Sequence, residues 1–197
     1  MSNKFKLSTI ISFCLVILVI FAGSLVRMTG SGMGCPDWPK CFGYLIPPVS
    51  EEDVFWKSNF YYRKGVMILD KEKFYSAKKN FKSTNKIVLS NWIQYTKHNY
   101  NEFSVSNTWF EFINRLIGAI AGLSTLMMFI FSLKFLKTKP LIPFVSFIIV
   151  FSMLFQAWLG KLVVDSNLAP YKITVHMLMA IVILGLIIFT YKKSDVK

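Results

Sequence analysis

The sequence predicts an all-α integral membrane protein: an up-and-down bundle of four transmembrane helices with a long, partly irregular extracytoplasmic loop. Of the 197 residues, 54% are apolar, and the mean hydropathy is +0.48. The apolar residues form four long blocks, which is the pattern of membrane spans. Lysines flank these blocks, as they do at the cytoplasmic ends of spans. We expect residues 1–197 to form a single membrane domain.

The first span is predicted at residues 7–26, because about 20 apolar residues cross the ~30 Å hydrocarbon layer. Lys4 and Lys6 precede it, so a signal peptide cleaved after Ala22-Gly23-Ser24 is the alternative. The apolar stretch is longer than the h-region of a signal peptide, which is about 7–15 residues long. This length favours a retained membrane helix.

The polar segment at residues 28–108 contains no predicted span. Glycines and prolines between Thr29 and Pro48 favour turns and irregular backbone. From Val54 to Lys86, the mixture of Lys, Tyr and Phe predicts one or two short helices at the membrane interface.

Three further spans are predicted at residues 109–136, 141–164 and 171–191. The short connections between them are typical of an up-and-down bundle. One set of span-flanking lysines falls on a single side of the membrane: Lys4, Lys6, Lys134, Lys137, Lys139, Lys192, Lys193 and Lys197. The positive-inside rule places this side, with both termini, in the cytoplasm, and loops longer than ~60 residues largely escape the rule. We therefore expect a multi-pass protein of a bacterial-type inner membrane.

The net charge of +13 does not indicate a nucleic-acid-binding protein. The lysines lie beside apolar blocks or among acidic residues of the loop, with no basic stripe interleaved with stacking aromatics. Within the second span, Gly118 and Gly122 form a G-x-x-x-G pair that permits close approach of another helix. That helix could belong to the same chain or to a second copy.

Polar side chains enter the spans at one depth, the extracytoplasmic end of the bundle. They are Arg27, Glu111, Asn114, Arg115, Gln156, Lys161 and His176. Ionisable groups in hydrocarbon cost at least a few kcal/mol each, so they usually face the bundle interior and mark a functional site. The simpler interpretation is that Glu111 and Arg115, four residues apart, form an ion pair that anchors the helix.

His176 is the only histidine within a predicted span. It is either a hydrogen-bonded core residue or an axial haem ligand, and its position alone favours neither interpretation. His98 lies in the loop and is expected at the surface, with a role as an extra ligand as the alternative.

Cys35 and Cys41 are spaced unlike zinc ligands or a C-x-x-C redox pair. In an oxidising extracytoplasmic compartment, two cysteines six residues apart favour a disulfide, which is either structural or reducible and regulatory. Cys14, within the first span, is expected to be a small buried apolar residue.

The segment from Leu25 to Gly43, which reads LVRMTGSGMGCPDWPKCFG, resembles the signature of the haem A synthase family. Weaker matches are EFINRLIG from Glu111, QAWLG from Gln156, and His176-Met177. Together these motifs touch all four spans and the first loop.

The resemblance implies an oxidoreductase that converts the C8 methyl of haem O to a formyl group, giving haem A for terminal oxidases. It implies a b-type haem, the substrate haem O or both as bound groups, and haem O synthase and terminal oxidase pathway proteins as partners. Glu111 matches the family's carboxylate and is the expected catalytic residue. His176 matches an axial histidine and is the expected iron ligand. The residues expected in the haem pocket or at the propionates are Arg27, Asn114, Arg115 and Gln156.

The sequence departs from the family pattern in two ways. Family members commonly carry two four-helix halves and this sequence has one, so a homo-oligomer is expected to restore an eight-helix assembly. Asn114 stands where the second span should carry a histidine, so the spans alone cannot supply two axial histidines. The open iron position would suit a substrate haem, or this copy has lost catalysis.

Two alternatives have different functions. The first is a non-catalytic haem-binding or cytochrome oxidase assembly protein of the same fold. The second is a thiol–quinone oxidoreductase, which usually needs a C-x-x-C pair of low pKa and often a second pair. The single wide cysteine pair argues against this second alternative.

Overall fold

The computed structural model describes residues 3–96 and 103–195, and most of them lie in four long helices. These are α1 (Asn3–Met28), α2 (Val105–Ser132), α3 (Leu141–Asp165) and α4 (Pro170–Asp195). Each is long and apolar enough to cross a membrane. They pack up and down, as the sequence predicts, so the fold class is confirmed.

Helix α2 begins four residues before its predicted start at Trp109. Its first turn contains Ser106 and Asn107, which lower the local hydropathy. The side chain of Ser104 accepts a hydrogen bond of 3.4 Å from the amide nitrogen of Asn107. Such a bond satisfies an amide that has no partner within the helix, as expected at a helix N-terminus.

The turn between α3 and α4 is built by residues with positive φ. Asn167 and Leu168 have φ values of 56° and 60°, and the amide of Leu168 donates to the carbonyl oxygen of Val163 at 3.0 Å. This closes the last turn of α3. Pro170 then begins α4, where its fixed φ suits a first helical position.

The chain divides into two compact units. The first contains residues 1–25 and 113–197, and the second contains residues 26–112. The bundle core of the first unit is apolar and includes Phe5, Val16, Ala121, Met128, Ile142, Ile149, Ile183 and Ile187. That residues 1–197 form a single membrane domain stays a prediction.

The G-x-x-x-G pair is not covered by another helix of the described chain. A Cβ atom built on Gly118 or Gly122 would meet no atom within 4 Å. Many large apolar side chains on the outside of the bundle are also exposed, among them Leu123 and Phe151. Such a surface suits contact with lipid.

The expected short helices between Val54 and Lys86 are wrong, because the structure has strands there. These are β1 (Tyr61–Tyr62), β2 (Met67–Asp70), β3 (Lys73–Ala77) and β4 (Phe81–Lys82), and β5 (Trp92–Gln94) follows. The sheets are antiparallel, with orders β1–β4 and β2–β3–β5.

The β2–β3 hairpin turns through Lys71 and Glu72, with φ values of 47° and 61°. Two positive φ values are the requirement of a type I′ turn, which is normally signalled by Asn-Gly. The charged pair gives no such signal, so the hairpin was not evident in the sequence, and the mixture of Lys, Tyr and Phe suggested interfacial helices instead.

An aromatic cluster fills the centre of the small sheets. The ring of Tyr62 lies 5.0 Å from that of Trp92 and 5.6 Å from that of Phe81, measured between centroids. A second cluster packs Phe42, Val54, Met67 and Phe74 against the two loop cysteines. The loop therefore has apolar cores of its own.

Candidate functional site

In the second unit, the side chain of Glu111 is tied to the loop that carries the cysteines. Glu111 is buried, and its Oε2 atom accepts a hydrogen bond of 2.8 Å from the amide nitrogen of Cys35. One turn earlier on α2, Thr108 Oγ1 donates to the carbonyl oxygen of Gly34 at 2.9 Å. Residues three apart on a helix share a face, so this face of α2 holds the loop at two successive positions.

Gly34 allows the loop to come this close. A Cβ atom at this position would lie 2.2 Å from the carbonyl oxygen of Asn107, a distance at which atoms overlap. A further bond, from Ser31 Oγ to Asn107 Oδ1 at 3.1 Å, supports the same approach. The docking of residues 31–35 on α2 therefore depends on a residue without a side chain.

The expected disulfide between Cys35 and Cys41 is confirmed. Both cysteines are buried. Asp37, a residue of the ring, accepts a hydrogen bond of 2.9 Å at Oδ2 from the amide of Gly43, which follows the ring. The hydroxyl of Tyr95, the residue after β5, donates to the carbonyl oxygen of Pro36 at 2.6 Å. The ring is held by contacts on several sides.

In the first unit, His176 and Gln156 meet between α3 and α4. The Nε2 atom of Gln156 donates to the main-chain oxygen of His176 at 3.0 Å. The imidazole lies against Gly160, where a Cβ atom would be 3.4 Å from its Cε1 atom. His176 Nδ1 and Gln156 Oε1 are both buried and find no hydrogen-bond partner among the described residues.

Asn114 carries a third buried atom of this kind at the same end of the bundle. Its Oδ1 finds no partner among the described residues and would lie 3.8 Å from a Cβ atom on Gly23 of α1. At about 1.5 Å per residue, Asn114 is about 14 Å from the start of α2, and Gln156 is about 14 Å from the end of α3. By the same measure, His176 is about 9 Å from the start of α4.

Three buried polar atoms without partners at one end of an apolar bundle are unusual, because such groups are normally paired. Ser146 Oγ, which lies five residues from the start of α3 and thus toward the opposite end of that helix, also finds no partner among the described residues. The atoms of Asn114, Gln156 and His176 are the part of the first unit best suited to bind a polar or metal-containing ligand.

The two arginines lie in different settings. Arg27 is exposed in the last turn of α1, and Arg115 is half-buried on α2. Lys161 is paired on its own helix with Asp165, with 3.3 Å between the charged atoms. Exposed pairs of this type contribute little to stability, about 0.3–0.5 kcal/mol.

His98 lies outside the described residues. Among the residues that are described, no group of three or more His, Cys, Asp or Glu could hold a metal ion.

The sequence did not indicate Thr108, Asn107, Gly34 or Gly160 as parts of a site. Thr108-Trp109-Phe110-Glu111 matches the S/T-x-x-E capping pattern, which predicts a helix start at Thr108. The helix instead begins at Val105, so Thr108 and Glu111 lie within it. The sequence signal that could have linked Thr108 to the site is its spacing of three residues from Glu111, which puts both side chains on one face of α2.

A family model described as cytochrome oxidase assembly protein matches residues 6–93 and 77–195. The chain belongs to this family, that of the haem A synthases. Its members include similar proteins from several bacteria. The haem A synthase of Ehrlichia canis is 31% identical over 180 residues, which cover 87% of this chain and 44% of the relative.

Two other haem A synthases have lower identity. That of Shewanella oneidensis is 23% identical over 93% of this chain and 44% of its own length. That of Orientia tsutsugamushi strain Boryong is 26% identical over 88% of this chain and 43% of its own length. The chain thus spans about half the length of the curated relatives it matches. No solved structure matches it.

Proposed function

We propose that this member of the haem A synthase family binds haem at the end of the bundle that carries His176 and takes part in oxidising haem O to haem A. The observation that carries the proposal is the setting of His176 within a membrane span. Its ring lies between two helices, and its buried Nδ1 finds no hydrogen-bond partner among the described residues. A histidine placed only for packing normally has its buried nitrogen paired.

The residues present would hold a haem through one histidine. His176 offers the nitrogen, and its ring packs against Gly160, which has no side chain. No second histidine is found among the described residues, so they do not fit a haem with two axial histidines. A bound haem would supply the one-electron redox chemistry that protein side chains lack.

Gln156 is a positioning residue in this scheme. Its bond to the main chain of His176 joins α3 to α4 at the ligand, and residues around a metal ligand commonly fix its orientation. Arg27 and Arg115 are proposed to bind the haem propionates, since a guanidinium binds carboxylates bidentately.

The catalytic role proposed for Glu111 comes from its match to the family motif. A carboxylate can stabilise positive charge that develops at the methyl carbon, or it can accept a proton. Two successive oxidations followed by loss of water convert the methyl to the aldehyde. Overall, the methyl group and one water give a formyl group, four protons and four electrons, which pass to an electron acceptor.

The test combines pigment spectra with haem extraction. The chain is coexpressed with a haem O synthase, purified in detergent, and analysed by visible spectroscopy and pyridine haemochrome. We expect bound haem in the wild type, haem A among the extracted pigments, and loss of both in His176→Ala. Val175→Ala is the matched control, because it removes an exposed apolar side chain from the adjacent position. A colourless wild type, or a His176→Ala protein with normal pigment, would refute the proposal.

A non-catalytic haem-binding or oxidase assembly role is the second candidate, and Asn114 favours it. The amide stands where the family motif has a histidine. In that case the same experiment gives a coloured protein that depends on His176 and leaves haem O unconverted. Asn114→His would then restore the histidine of the family motif, and a change in the visible spectrum of the bound haem would show that position 114 lies close to it.

We also propose that two or more copies assemble in the membrane. The chain spans about half the length of its relatives, and a second copy would supply another four-helix bundle. The lysines at residues 134–139 and 192–193 support cytoplasmic termini and an extracytoplasmic loop. Native mass spectrometry from nanodiscs tests the assembly, and thiol accessibility from each side tests the topology.

A further inference from the structure

The second unit exposes a short apolar segment beside the first turns of α2. Leu45, Ile46 and Val49 are 76%, 69% and 65% exposed, whereas the intervening Pro47 and Pro48 are buried. Buried prolines restrict the backbone, so the three apolar side chains are presented from a constrained segment. Exposed apolar side chains grouped in this way usually mark an interaction surface.

The position of this segment is fixed by Trp109. The indole Nε1 of Trp109 donates to the carbonyl oxygen of Pro48 at 3.1 Å, and its ring packs edge-to-face on Phe112 with 5.7 Å between centroids. Trp109 lies in the second turn of a helix that forms a candidate membrane span, Val105–Phe135. Tryptophans at the ends of spans sit at the level of the lipid headgroups.

The charge distribution of the loop is consistent with this depth. Residues 41–50 contain no charged side chain, whereas Lys40 precedes them and Glu51, Glu52 and Asp53 follow. From residue 57 to residue 86, basic residues are frequent. Charged side chains are costly in the membrane and are tolerated at its surface. The uncharged segment is thus the part of the loop suited to lipid.

We propose that Leu45, Ile46 and Val49 insert into the interfacial layer of the bilayer that holds the four helices. The segment anchors the loop to the leaflet that α2 enters. The occupant is lipid, because the segment is bonded to a residue at the end of a span. Apolar side chains at the interface reach about 5–10 Å into the headgroup and acyl boundary.

The test measures depth in the full chain. Cys14 is replaced by Ser, so that single cysteines introduced as Leu45→Cys, Ile46→Cys and Val49→Cys are the only free thiols. Each protein is labelled with an environment-sensitive fluorophore in nanodiscs, leaving the disulfide oxidised. Quenching by lipids with a nitroxide at a shallow position is compared with quenching by aqueous iodide. The matched control is Lys79→Cys, an exposed site in the same loop.

We expect blue-shifted emission and strong lipid quenching at all three apolar sites, with iodide quenching the control instead. Equal iodide quenching at the three sites and at the control would overturn the proposal. Shielding from both quenchers would also overturn it, because another protein surface, such as a second copy, would then cover the segment. The three substituted sites are exposed, and size-exclusion chromatography tests whether each variant is folded.

Discussion

The amide nitrogen of Cys35 donates a hydrogen bond of 2.8 Å to Glu111 Oε2, and both residues are buried. One end of the disulfide ring is therefore joined to the carboxylate that we propose as catalytic. A bond to a charged acceptor is stronger than one between neutral groups. We therefore expect that breaking the disulfide disturbs the position of the Glu111 carboxylate. Opening the ring and replacing Glu111 separately distinguish what each group contributes to stability and to haem A formation.

Opening the ring with Cys35→Ser and Cys41→Ser should weaken the loop and lower haem A formation. A ring closed between residues six apart stabilises the fold by about 2 kcal/mol in the chain-entropy model. Urea unfolding monitored by tryptophan fluorescence measures the loss, and haem extraction measures the activity. Cys14→Ser is the control, because it makes the same atomic change at a free cysteine, which is exposed on α1 and not buried as the sequence predicted. Unchanged stability and haem A content in the double variant would contradict the prediction.

Glu111→Gln should keep the loop docked while removing the charge. The amide oxygen can still accept the bond from Cys35, so we expect unfolding near that of the wild type. Haem A formation should fall by about 10²-fold or more, the scale of general acid–base and related side-chain contributions. Thr108→Val is the comparison, because it removes the bond to Gly34 but leaves the carboxylate. Normal haem A in Glu111→Gln would exclude a catalytic role for the charge.

Gly160→Ala should disturb haem binding through His176. The new Cβ atom would lie 3.4 Å from the Cε1 atom of the imidazole, in direct van der Waals contact with the ring, and would restrict its movement. We expect a shifted Soret band and lower haem occupancy, with a larger effect in Gly160→Val. Gly185→Ala on α4 is the matched control, since its Cβ would meet nothing within 4 Å. Both alanine variants gain a similar helix propensity, about 1 kcal/mol, so a difference between them reports on the contact with His176. A wild-type spectrum in Gly160→Val would mean that His176 is not the ligand.

The loop should lose stability in alkaline solution. Burial raises the pKa of Tyr62 above its ordinary value, and this outweighs the opposing effect of its bond from the Lys57 amide. Burial, with smaller effects from Tyr62 and Asp53, also raises the pKa of Tyr44. Because these folded-state pKa values exceed the unfolded value of 10.0, the stabilisation is complete below pH 10 and is lost as the pH rises through them.

Urea unfolding at pH 8 and at pH 11 measures this loss. Tyr44→Phe combined with Tyr62→Phe should reduce the difference between the two pH values, because phenylalanine has no hydroxyl to ionise. An equal alkaline loss in the wild type and in this variant would show that other groups are responsible.

The candidate site was only partly predictable from the sequence. Polar residues in apolar blocks are visible directly, so Asn114, Gln156 and His176 could be identified and assigned to one end of the bundle. The contact of His176 with Gly160 could not, because it depends on the rotation of α3 and α4 about their axes. The role of Glu111 as acceptor for Cys35 was equally hidden, since the two residues are 76 positions apart.

The sequence by itself determined the four spans and the cysteine pair. The thickness of the bilayer sets the length of an apolar helix, and nearby residues suffice to show it. Only the tertiary structure decided the strands of the loop, the close approach at Gly34 and the pairing of Cys35 with Glu111. These features arise from contacts between distant segments, where space and hydrogen-bond geometry select the partner and local composition carries little information.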